Sequence, residues 1–314
     1  MSDQRQLLPD DQELIQLIET KLGGGWTTVA SRRKLRKAII ELTNGADERI
    51  IAKVSGVGRG RLAYDILIRL YEAGFRPPSG YTVPQPLGYV EEHGLLIQEK
   101  APGLPFADLL NNPERGQACA IATAQCMARL HNASIEVPPA ANYAPRIHRW
   151  RTELAEVMPE IAHRVHRLAD ACEIGLSVQY PTVATHGDLH PKNIFFSDDA
   201  RLTVIDFDTW GGRERAAELM YCGVQCGIIA RLRWGNFAAT SPIVRTLLRT
   251  YAAEVRCDPE PSRLVIYAGL TFLQSLHYQC CVLHDLPKGV VPEWLRLAET
   301  CVRRQNIDKL FTGE

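Results

Sequence analysis

The fold of this chain is decided by residues 185–210, which read THGDLHPKNIFFSDDARLTVIDFDTW. Two short apolar runs in this stretch predict the strands of a tight β-hairpin, at 193–196 and 202–206, joined by the turn SDDA. Asp198 and Asp199 belong to that turn, and ordinary solvated turn residues explain them without any further role.

Four other polar side chains lie where the hairpin begins and ends. Asp188 and Asn193 flank the loop before the first strand, and Asp206 and Asp208 follow the second. Because the two ends of a hairpin are neighbours, we expect these side chains to converge. Carboxylates brought together repel one another unless a hard cation or its waters balance their charge. Ligands that are all oxygen favour magnesium or manganese over zinc, so the pattern predicts a magnesium site.

Length and composition limit the class of protein. The chain has 314 residues, 46% of them hydrophobic and 23% charged, which is ordinary for a globular protein of two domains or one large two-part domain. The formal net charge is zero, so nothing indicates nucleic acid or an anionic membrane surface as a partner. We find no apolar run of the roughly 18 residues that a membrane span needs. Nine cysteines without a signal-peptide core at the N-terminus predict a cytoplasmic protein.

The first hundred residues alternate between helical and strand patterns. Apolar residues at helical spacing predict helices at 10–22 and 61–74. Strands are predicted at 26–31, 37–42 and 49–55, with two more in 81–100. This order predicts a small five-stranded antiparallel sheet with one helix inserted after the third strand.

The rest of the chain is predicted to be mainly helical. The Pro/Gly break APGLP at 101–105 marks a boundary, which divides the chain into domains at 1–100 and 101–314. Helical patterns beyond it cover 113–136, 146–175, 213–234, 241–256, 259–285 and 292–305. A β-rich domain followed by a helical one is an α+β arrangement.

The hairpin and the loop before it carry a resemblance to a known family. HGDLHPKN (186–193) followed by VIDFD (204–208) resembles the catalytic loop and metal motif of the aminoglycoside phosphotransferase and choline kinase family. That family is related to the protein kinases, whose H-R-D-x-x-x-x-N and D-F-G segments have the same spacing. The resemblance covers about 30–290. It implies a bilobal protein-kinase-like fold, with a small antiparallel β N-lobe and a larger, mainly helical C-lobe.

The same resemblance implies an activity. We expect an ATP-dependent phosphotransferase that moves the γ-phosphate to a hydroxyl of a small molecule, whether antibiotic-, sugar- or amino-alcohol-like. It assigns Asp188 to orient the acceptor hydroxyl and take its proton, and Asn193 and Asp206 to hold Mg²⁺ on the phosphates. Asp208 would touch the waters of a second metal ion or the substrate. The alternative is a nucleotide-binding pseudokinase or scaffold without turnover, which lost motif residues would indicate. The sequence does not indicate an oligomeric state.

Further residues are assigned to ATP by the resemblance. Lys53 stands in the apolar third strand IIAKVS, where a lysine needs a partner or an anionic ligand, and the family's strand lysine positions the α- and β-phosphates. The acid that pairs with it is expected on the following helix, with Asp65 first and Glu72 second. Backbone groups of the stretch from Glu99 to Ala101 are expected to bind the adenine edge.

The chain departs from the family pattern at two places. The glycines at 23–25 end a helix before the first strand, so the phosphate-binding loop is predicted instead at SRRKLRK (31–37), with Ser31 and five basic residues near the phosphates. A solvated basic turn is the alternative for that stretch. Where the family commonly has an aspartate that braces the C-lobe, this chain offers Glu218.

Charge in the second domain bears on the acceptor. A polycationic substrate needs several unpaired carboxylates, because an ammonium group desolvated without a partner is costly. Acids in 146–175 are matched by arginines, and acids in 259–305 are sparse. The sequence therefore predicts a neutral or weakly charged acceptor, with choline-type amines next and polycationic aminoglycosides disfavoured.

Overall fold

The computed structural model describes residues 8–34, 37–139, 142–255, 260–285 and 289–311. Contacts divide the chain into two compact units. Unit 1 comprises Met1–Leu104 and Phe195–Trp210, and unit 2 comprises Pro105–Ile194 and Gly211–Glu314. The division predicted from sequence, 1–100 and 101–314, differs in two respects, the first being that the boundary lies after Leu104. The residues from Phe195 to Trp210 belong with unit 1, because a compact unit need not be one continuous segment of chain.

The helices and strands largely follow the predicted order. The strands are β1 Trp26–Lys34, β2 Lys37–Asn44, β3 Arg49–Val54, β4 Tyr81–Thr82, β5 Pro86–Val90, β6 Leu95–Glu99, β7 Leu104–Pro105, β8 Val183–Thr185, β9 Ile194–Phe196, β10 Leu202–Val204 and β11 Gly211–Arg213. The α-helices are α1 Asp11–Leu22, α2 Val57–Glu72, α3 Phe106–Leu109, α4 Pro113–His131, α5 Ala144–Val157, α6 Ala162–Leu176, α7 Arg215–Trp234, α8 Ser241–Glu254, α9 Pro261–His277, α10 Val290–Arg304 and α11 Asp308–Phe311.

Unit 1 is built on a five-stranded antiparallel sheet with the strand order β1-β2-β3-β6-β5. Helix α2 follows the third strand, so the predicted sheet and its inserted helix are confirmed. In this register Lys53 of β3 lies opposite Ile39 of β2 and Leu96 of β6. The lysine is therefore central in the sheet rather than at an edge.

The two faces of this sheet are covered differently. Alternate residues of β2, β3 and β6 are buried together with Leu14 and Ile18 of α1 in one apolar cluster. Helix α1 begins at a capping box, in which Asp10 accepts from the backbone N–H of Glu13 and Glu13 accepts from that of Asp10. Because side chains alternate along a strand, Lys53 and its strand neighbour Ile51 point to the opposite face.

Close packing of glycines sets the position of α2. Gly94, with φ 59°, ends the turn before β6, and a Cβ there would lie 2.5 Å from the carbonyl carbon of Gly56. Any larger residue would move the start of α2 away from the turn. The hydroxyl of Tyr89 also donates to the carbonyl of Val57 at 2.7 Å. The helix is thereby fixed with Ala63 buried.

A second sheet has the strand order β4-β10-β9-β7. It contains the predicted hairpin, whose strands are shorter than expected, at Ile194–Phe196 and Leu202–Val204. The parallel pairing of β10 with β4 is reinforced by a hydrogen bond of 2.8 Å between the hydroxyls of Thr82 and Thr203. This pairing ties the hairpin to the part of unit 1 that precedes β5.

Unit 2 is mainly helical, with α4 packed against α8 and α7 against α9. The single helix predicted at 146–175 is wrong, because α5 ends at Val157 and α6 begins at Ala162. A 3₁₀ turn, Pro159–Ile161, separates them, since proline lacks the N–H that a continuous helix would use. The helix predicted at 259–285 likewise ends at His277 and continues as a π-helical segment, Tyr278–Leu283. The pairing of β8 with β11 was not predicted.

Two further observations concern the described residues as a whole. Among the described residues, no helix is long and apolar enough to cross a membrane. The cysteines that the structure describes are all free, and all but Cys281 are buried. Burial raises the pKa of the Cys126 thiol to about 12, which is typical of an inert packing residue.

Candidate active site

Lys53 is the centre of the site in unit 1. Its position in the middle of the sheet leaves it only 9% exposed. Its ammonium contacts the carboxylate of Asp206 and lies 2.7 Å from Oδ1 of Asp208. Burial alone would lower the pKa of Lys53, but the two carboxylates outweigh it, so that the pKa is raised above its ordinary value. The lysine therefore stays charged and presents its charge to the hairpin.

The two aspartates occupy the end of the hairpin that sequence analysis singled out. Asp206 has φ 70°, a left-handed conformation that aspartate, asparagine and glycine tolerate better than other residues. Asp208 is nearly buried and also pairs with Lys37 at 3.4 Å. The backbone turn at Asp206 thus brings both carboxylates to the same ammonium.

The predicted partner of Lys53 was wrong. Asp65 lies one turn after Arg61 on α2 and accepts from its Nε at 3.0 Å. Among the described residues, the ion pairs of Lys53 are with the hairpin instead. A role of Asp65 toward a nucleotide stays a prediction, and so does the role of Lys53.

A cavity of about 360 Å³ adjoins this cluster within unit 1. Most of its wall is apolar, contributed by Ile39, Ile51, Ala63, Leu67, Leu96, Ala101, Phe195, Ile205 and Phe207. Lys53, Asp206 and Asp208 line it too, and so do Glu41 and Lys100, which pair with each other at 2.6 Å. The cavity therefore combines apolar walls with a charged cluster that holds both signs.

Only some of the other residues predicted to bind a nucleotide lie at the cavity. Ala101 lines the cavity and Glu99 does not. The backbone N–H of Glu99 already donates to the carbonyl of Gln85 at 2.9 Å. Ser31 lies in strand β1 rather than in a loop, and its hydroxyl is 3.4 Å from Asp11. Of the stretch 31–37, residues 35 and 36 lie outside the described residues, and the rest belongs to β1 and β2.

The catalytic-loop motif lies in unit 2. The backbone N–H of Asp188 donates to Nδ1 of the buried His186 at 3.2 Å, and Nδ2 of Asn193 donates to the carbonyl of Asp188 at 3.0 Å. His186 therefore holds the loop by accepting this hydrogen bond. The side-chain oxygen of Asn193 is the atom that remains for a cation.

Tyr221 is a site residue that sequence reasoning missed. Its hydroxyl donates to Oδ1 of Asp188 at 2.6 Å. Burial and the negative charge of Asp188 raise the pKa of Tyr221 well above its ordinary value, so this phenol remains a donor. The other carboxylate oxygen, Oδ2, lies 3.8 Å from Nε2 of His190. Nothing in the local pattern around Tyr221 signals this contact.

Glu218 braces the loop from helix α7. Its carboxylate accepts from the backbone N–H of Gly187 at 2.9 Å and lies 2.9 Å from Nε2 of His131. His131 in turn lies 2.7 Å from the hydroxyl of Tyr251. The buried chain fixes the loop beside Asp188, as the resemblance implied for this position.

The chemistry of the donor set decides whether a magnesium ion fits. Asp206 and Asp208 contact the same ammonium nitrogen, so their oxygens are close enough together for one cation to reach both. Hard oxygen donors are what Mg²⁺ prefers. In the part of the chain that the structure describes, no group of three or more His, Cys, Asp or Glu side chains forms a metal site. The pair therefore suits a cation that takes its remaining ligands from water or phosphate.

Comparison with known proteins identifies the family of the chain. A family model described as "Phosphotransferase enzyme family" matches residues 47–256, which is more than half of the chain. A search of curated proteins finds no match.

Solved structures share the fold at low sequence identity. A choline/ethanolamine kinase family protein from Mesorhizobium loti is 15% identical, with 95% of this chain and 96% of that chain covered and a TM-score of 0.63. Spectinomycin phosphotransferase in complex with ADP and spectinomycin is 12% identical, with coverage of 97% and 98% and a TM-score of 0.66. Amicoumacin kinase in complex with AMP-PNP, Ca²⁺ and Ami is 15% identical, with 95% coverage of both chains and a TM-score of 0.64.

Replacing Glu218 with glutamine should destabilise the protein in a pH-dependent way. Burial opposes the carboxylate, but His131, His186 and the Gly187 N–H outweigh it and lower the pKa of Glu218 below its ordinary 4.5. The charged form therefore stabilises the fold above that pH, and the stabilisation is lost as the pH falls through the folded-state pKa.

We expect Glu218→Gln to lower the free energy of unfolding by about 1.5–3 kcal/mol at neutral pH. Thermal unfolding followed by circular dichroism across pH 3–8 measures it, with the exposed Glu136→Gln as control. A difference between wild type and Glu218→Gln that stays constant across the whole pH range would contradict the assignment.

Proposed function

Since the chain belongs to the phosphotransferase enzyme family, we propose that it is an ATP-dependent phosphotransferase that moves the γ-phosphate to a hydroxyl of a small molecule. The observation that carries the proposal is the cavity of unit 1, whose apolar wall ends at Lys53, Asp206 and Asp208. Apolar walls suit a nucleobase, and a buried ammonium suits its phosphates.

We assign the residue roles from the resemblance to the family, and the contacts within each unit support them. Lys53 binds the α- and β-phosphates, and these replace part of its contact with Asp206 and Asp208. Asp206 and Asp208 would hold Mg²⁺, which supplies neutralisation of phosphate charge, and Asn193 stays a predicted ligand. Ala101 contacts the base. Charge neutralisation and placement account for most of the catalysis expected of such a site.

Asp188 acts on the acceptor. The bond between the γ-phosphorus and the β–γ bridging oxygen breaks, and its electron pair leaves on ADP. A new bond forms between that phosphorus and the acceptor oxygen, whose proton goes to the Asp188 carboxylate. Tyr221 is a positioning residue, because its hydrogen bond to Oδ1 fixes the carboxylate and leaves Oδ2 for the acceptor.

A pseudokinase that binds nucleotide without turnover is the alternative. The chain keeps Lys53, Asp188, Asn193 and Asp206, and no observation favours loss of activity. A screen for magnesium-dependent ATP consumption across a library of hydroxyl compounds separates the two functions. ATP binding without consumption by any compound would support the pseudokinase.

Asp188→Asn should bind ATP and lose phosphoryl transfer. The substitution removes the proton acceptor but leaves the cavity of unit 1 intact, so we expect kcat to fall by a factor of about 10²–10⁴. Asp198→Asn, in the exposed turn of the hairpin that follows the catalytic loop, is the matched control. Retention of more than about a tenth of wild-type turnover, a loss below about 1.4 kcal/mol, would show that Asp188 is not the base.

Asp206→Asn should uncouple ATP affinity from magnesium. Asparagine tolerates the positive φ of this position, so the variant removes the charge while keeping the backbone. Calorimetric titration of ATP with and without Mg²⁺ should show that the magnesium effect is largely lost. Asp206→Ala is the comparison, with an additional loss of about 1–2 kcal/mol of stability from the strained backbone. An undiminished magnesium effect in Asp206→Asn would exclude Asp206 as a ligand.

Tyr221→Phe should lower kcat by about tenfold while the KM for ATP stays unchanged. The variant loses only the hydroxyl that orients Asp188, a charged hydrogen bond worth about 1.5–3 kcal/mol. Steady-state kinetics measures it, with the half-exposed Tyr278→Phe as control. Equal kcat in Tyr221→Phe and wild type would mean that this hydrogen bond does not position the carboxylate.

A further inference from the structure

Two cavities of unit 2 meet beside the catalytic loop. The smaller, of about 40 Å³, is lined by Gly187 and Leu189 of the loop and by Tyr221, the partner of Asp188. The larger has about 740 Å³. Three residues line both cavities: Tyr143, Arg213 and Tyr267. The cavities therefore adjoin. A compound in the larger cavity can extend a group about the size of a hydroxymethyl through the smaller one toward Asp188.

The acids in these linings are already compensated. Each has a partner that lines neither cavity: Glu173 pairs with Arg151 at 3.6 Å, Glu214 with Arg263 at 2.5 Å, and Glu218 with His131 at 2.9 Å. The pair of Glu214 and Arg263 is bidentate and almost buried. An ammonium group entering either cavity would have to share a carboxylate that already has a cationic partner, so its own desolvation is poorly compensated.

The cationic residues of the linings are placed differently. Arg146 lines the smaller cavity, is exposed, and makes no hydrogen bond or ion pair with any residue that the structure describes. It lies in the first turn of α5, whose N-cap residue Tyr143 supplies no side-chain acceptor, so the helix adds partial positive charge there. Arg213 is buried and donates to the hydroxyl of Thr185 at 3.0 Å. The guanidinium of Arg146 can therefore bind an anion without breaking an ion pair seen among the described residues.

The aromatic residues shared by the cavities suit a carbon skeleton. The rings of Tyr143 and Tyr267 meet edge to face, with centroids 5.9 Å apart. Burial raises the pKa of both phenols, so they remain neutral. Neutral aromatic faces beside a cation bind an amphiphilic molecule, whose apolar part packs on the rings while its anionic group meets the guanidinium.

We propose that the acceptor is a hydroxy compound that carries one anionic oxygen group, a carboxylate or a phosphate, and that Arg146 binds this group. The inference rests on the proposed function, because a hydroxyl of the same molecule meets Asp188. An anionic acceptor extends the prediction from sequence, which disfavoured polycations but did not assign a negative charge. Arg146 is then the residue that determines the charge class of the substrate.

Calorimetry on the full chain without nucleotide tests binding alone. The probes are gluconate, glucose 6-phosphate, glucose and glucosamine, which share a skeleton and differ in charge. Wild type is compared with Arg146→Gln and with Arg149→Gln, an exposed arginine one turn further along α5 that lines neither cavity. We expect at least one anionic probe to bind at least tenfold more tightly than glucose, and the preference to weaken at high salt.

The preference should disappear in Arg146→Gln and persist in Arg149→Gln. Tighter binding of gluconate would identify the anionic group as a carboxylate, and tighter binding of glucose 6-phosphate would identify it as a phosphate. Equal binding of glucose and both anions, tightest binding of glucosamine, no binding of any probe, or a preference that Arg146→Gln leaves intact would each overturn the proposal.

A second assay separates this inference from the function on which it rests. ATP consumption is measured with Mg²⁺ and each probe, and with a polycationic aminoglycoside such as kanamycin. Anion binding through Arg146 without phosphoryl transfer to any acceptor would uphold the anion site and overturn the proposed function. Preferred phosphorylation of kanamycin would uphold the function and overturn the anionic acceptor.

Discussion

A buried ammonium must have a counter-charge, and in unit 1 that requirement falls on Lys53. Strand β3 lies between β2 and β6, so the lysine cannot reach solvent by moving to a sheet edge. Among the residues that the structure describes, the carboxylates that pair with it come from the hairpin, through the left-handed backbone of Asp206. The cation and the two anions of the cavity thus form one ion-pair cluster beside its apolar wall.

The same cluster explains why a phosphate-binding site can be stable before a nucleotide binds. Without ligand, Asp206 and Asp208 neutralise the lysine, and the lysine prevents the two carboxylates from repelling each other. A nucleotide with its cation brings negative phosphates for the lysine and a positive ion for the carboxylates, so every group keeps a partner after binding. Exchange of partners costs less than the desolvation of a lone charge, which makes the arrangement suitable for reversible binding.

Sequence patterns predicted what is local. Alternating apolar residues predicted the five strands, and the spacing of Asp188, Asn193 and Asp206 predicted the motif. The break between α5 and α6 was also readable, since Pro159 stands in the middle of the predicted helix. The predicted partner of Lys53, Asp65, was wrong, and the partner of Asp188, Tyr221, was not predicted. Asp65 and Tyr221 lie on helices, and the direction in which a helical side chain points depends on tertiary packing. Strands as short as β8 and β11 carry too few residues to show a period.

Unit 1 is made from two stretches of chain that are far apart in sequence, and this affects the order in which it is synthesised. When Leu104 has left the ribosome, Lys53 is present but the hairpin that supplies its counter-charges is not. At roughly 5–20 residues per second, translation reaches Trp210 on the order of 5 to 20 s later. During that interval Lys53 lacks the carboxylates of the hairpin, although α2, which contributes Ala63 and Leu67 to the same cavity, has already been made. Synthesis therefore completes unit 1 only after the whole first segment of unit 2, Pro105–Ile194, has been made, so the two units cannot fold one after the other in chain order.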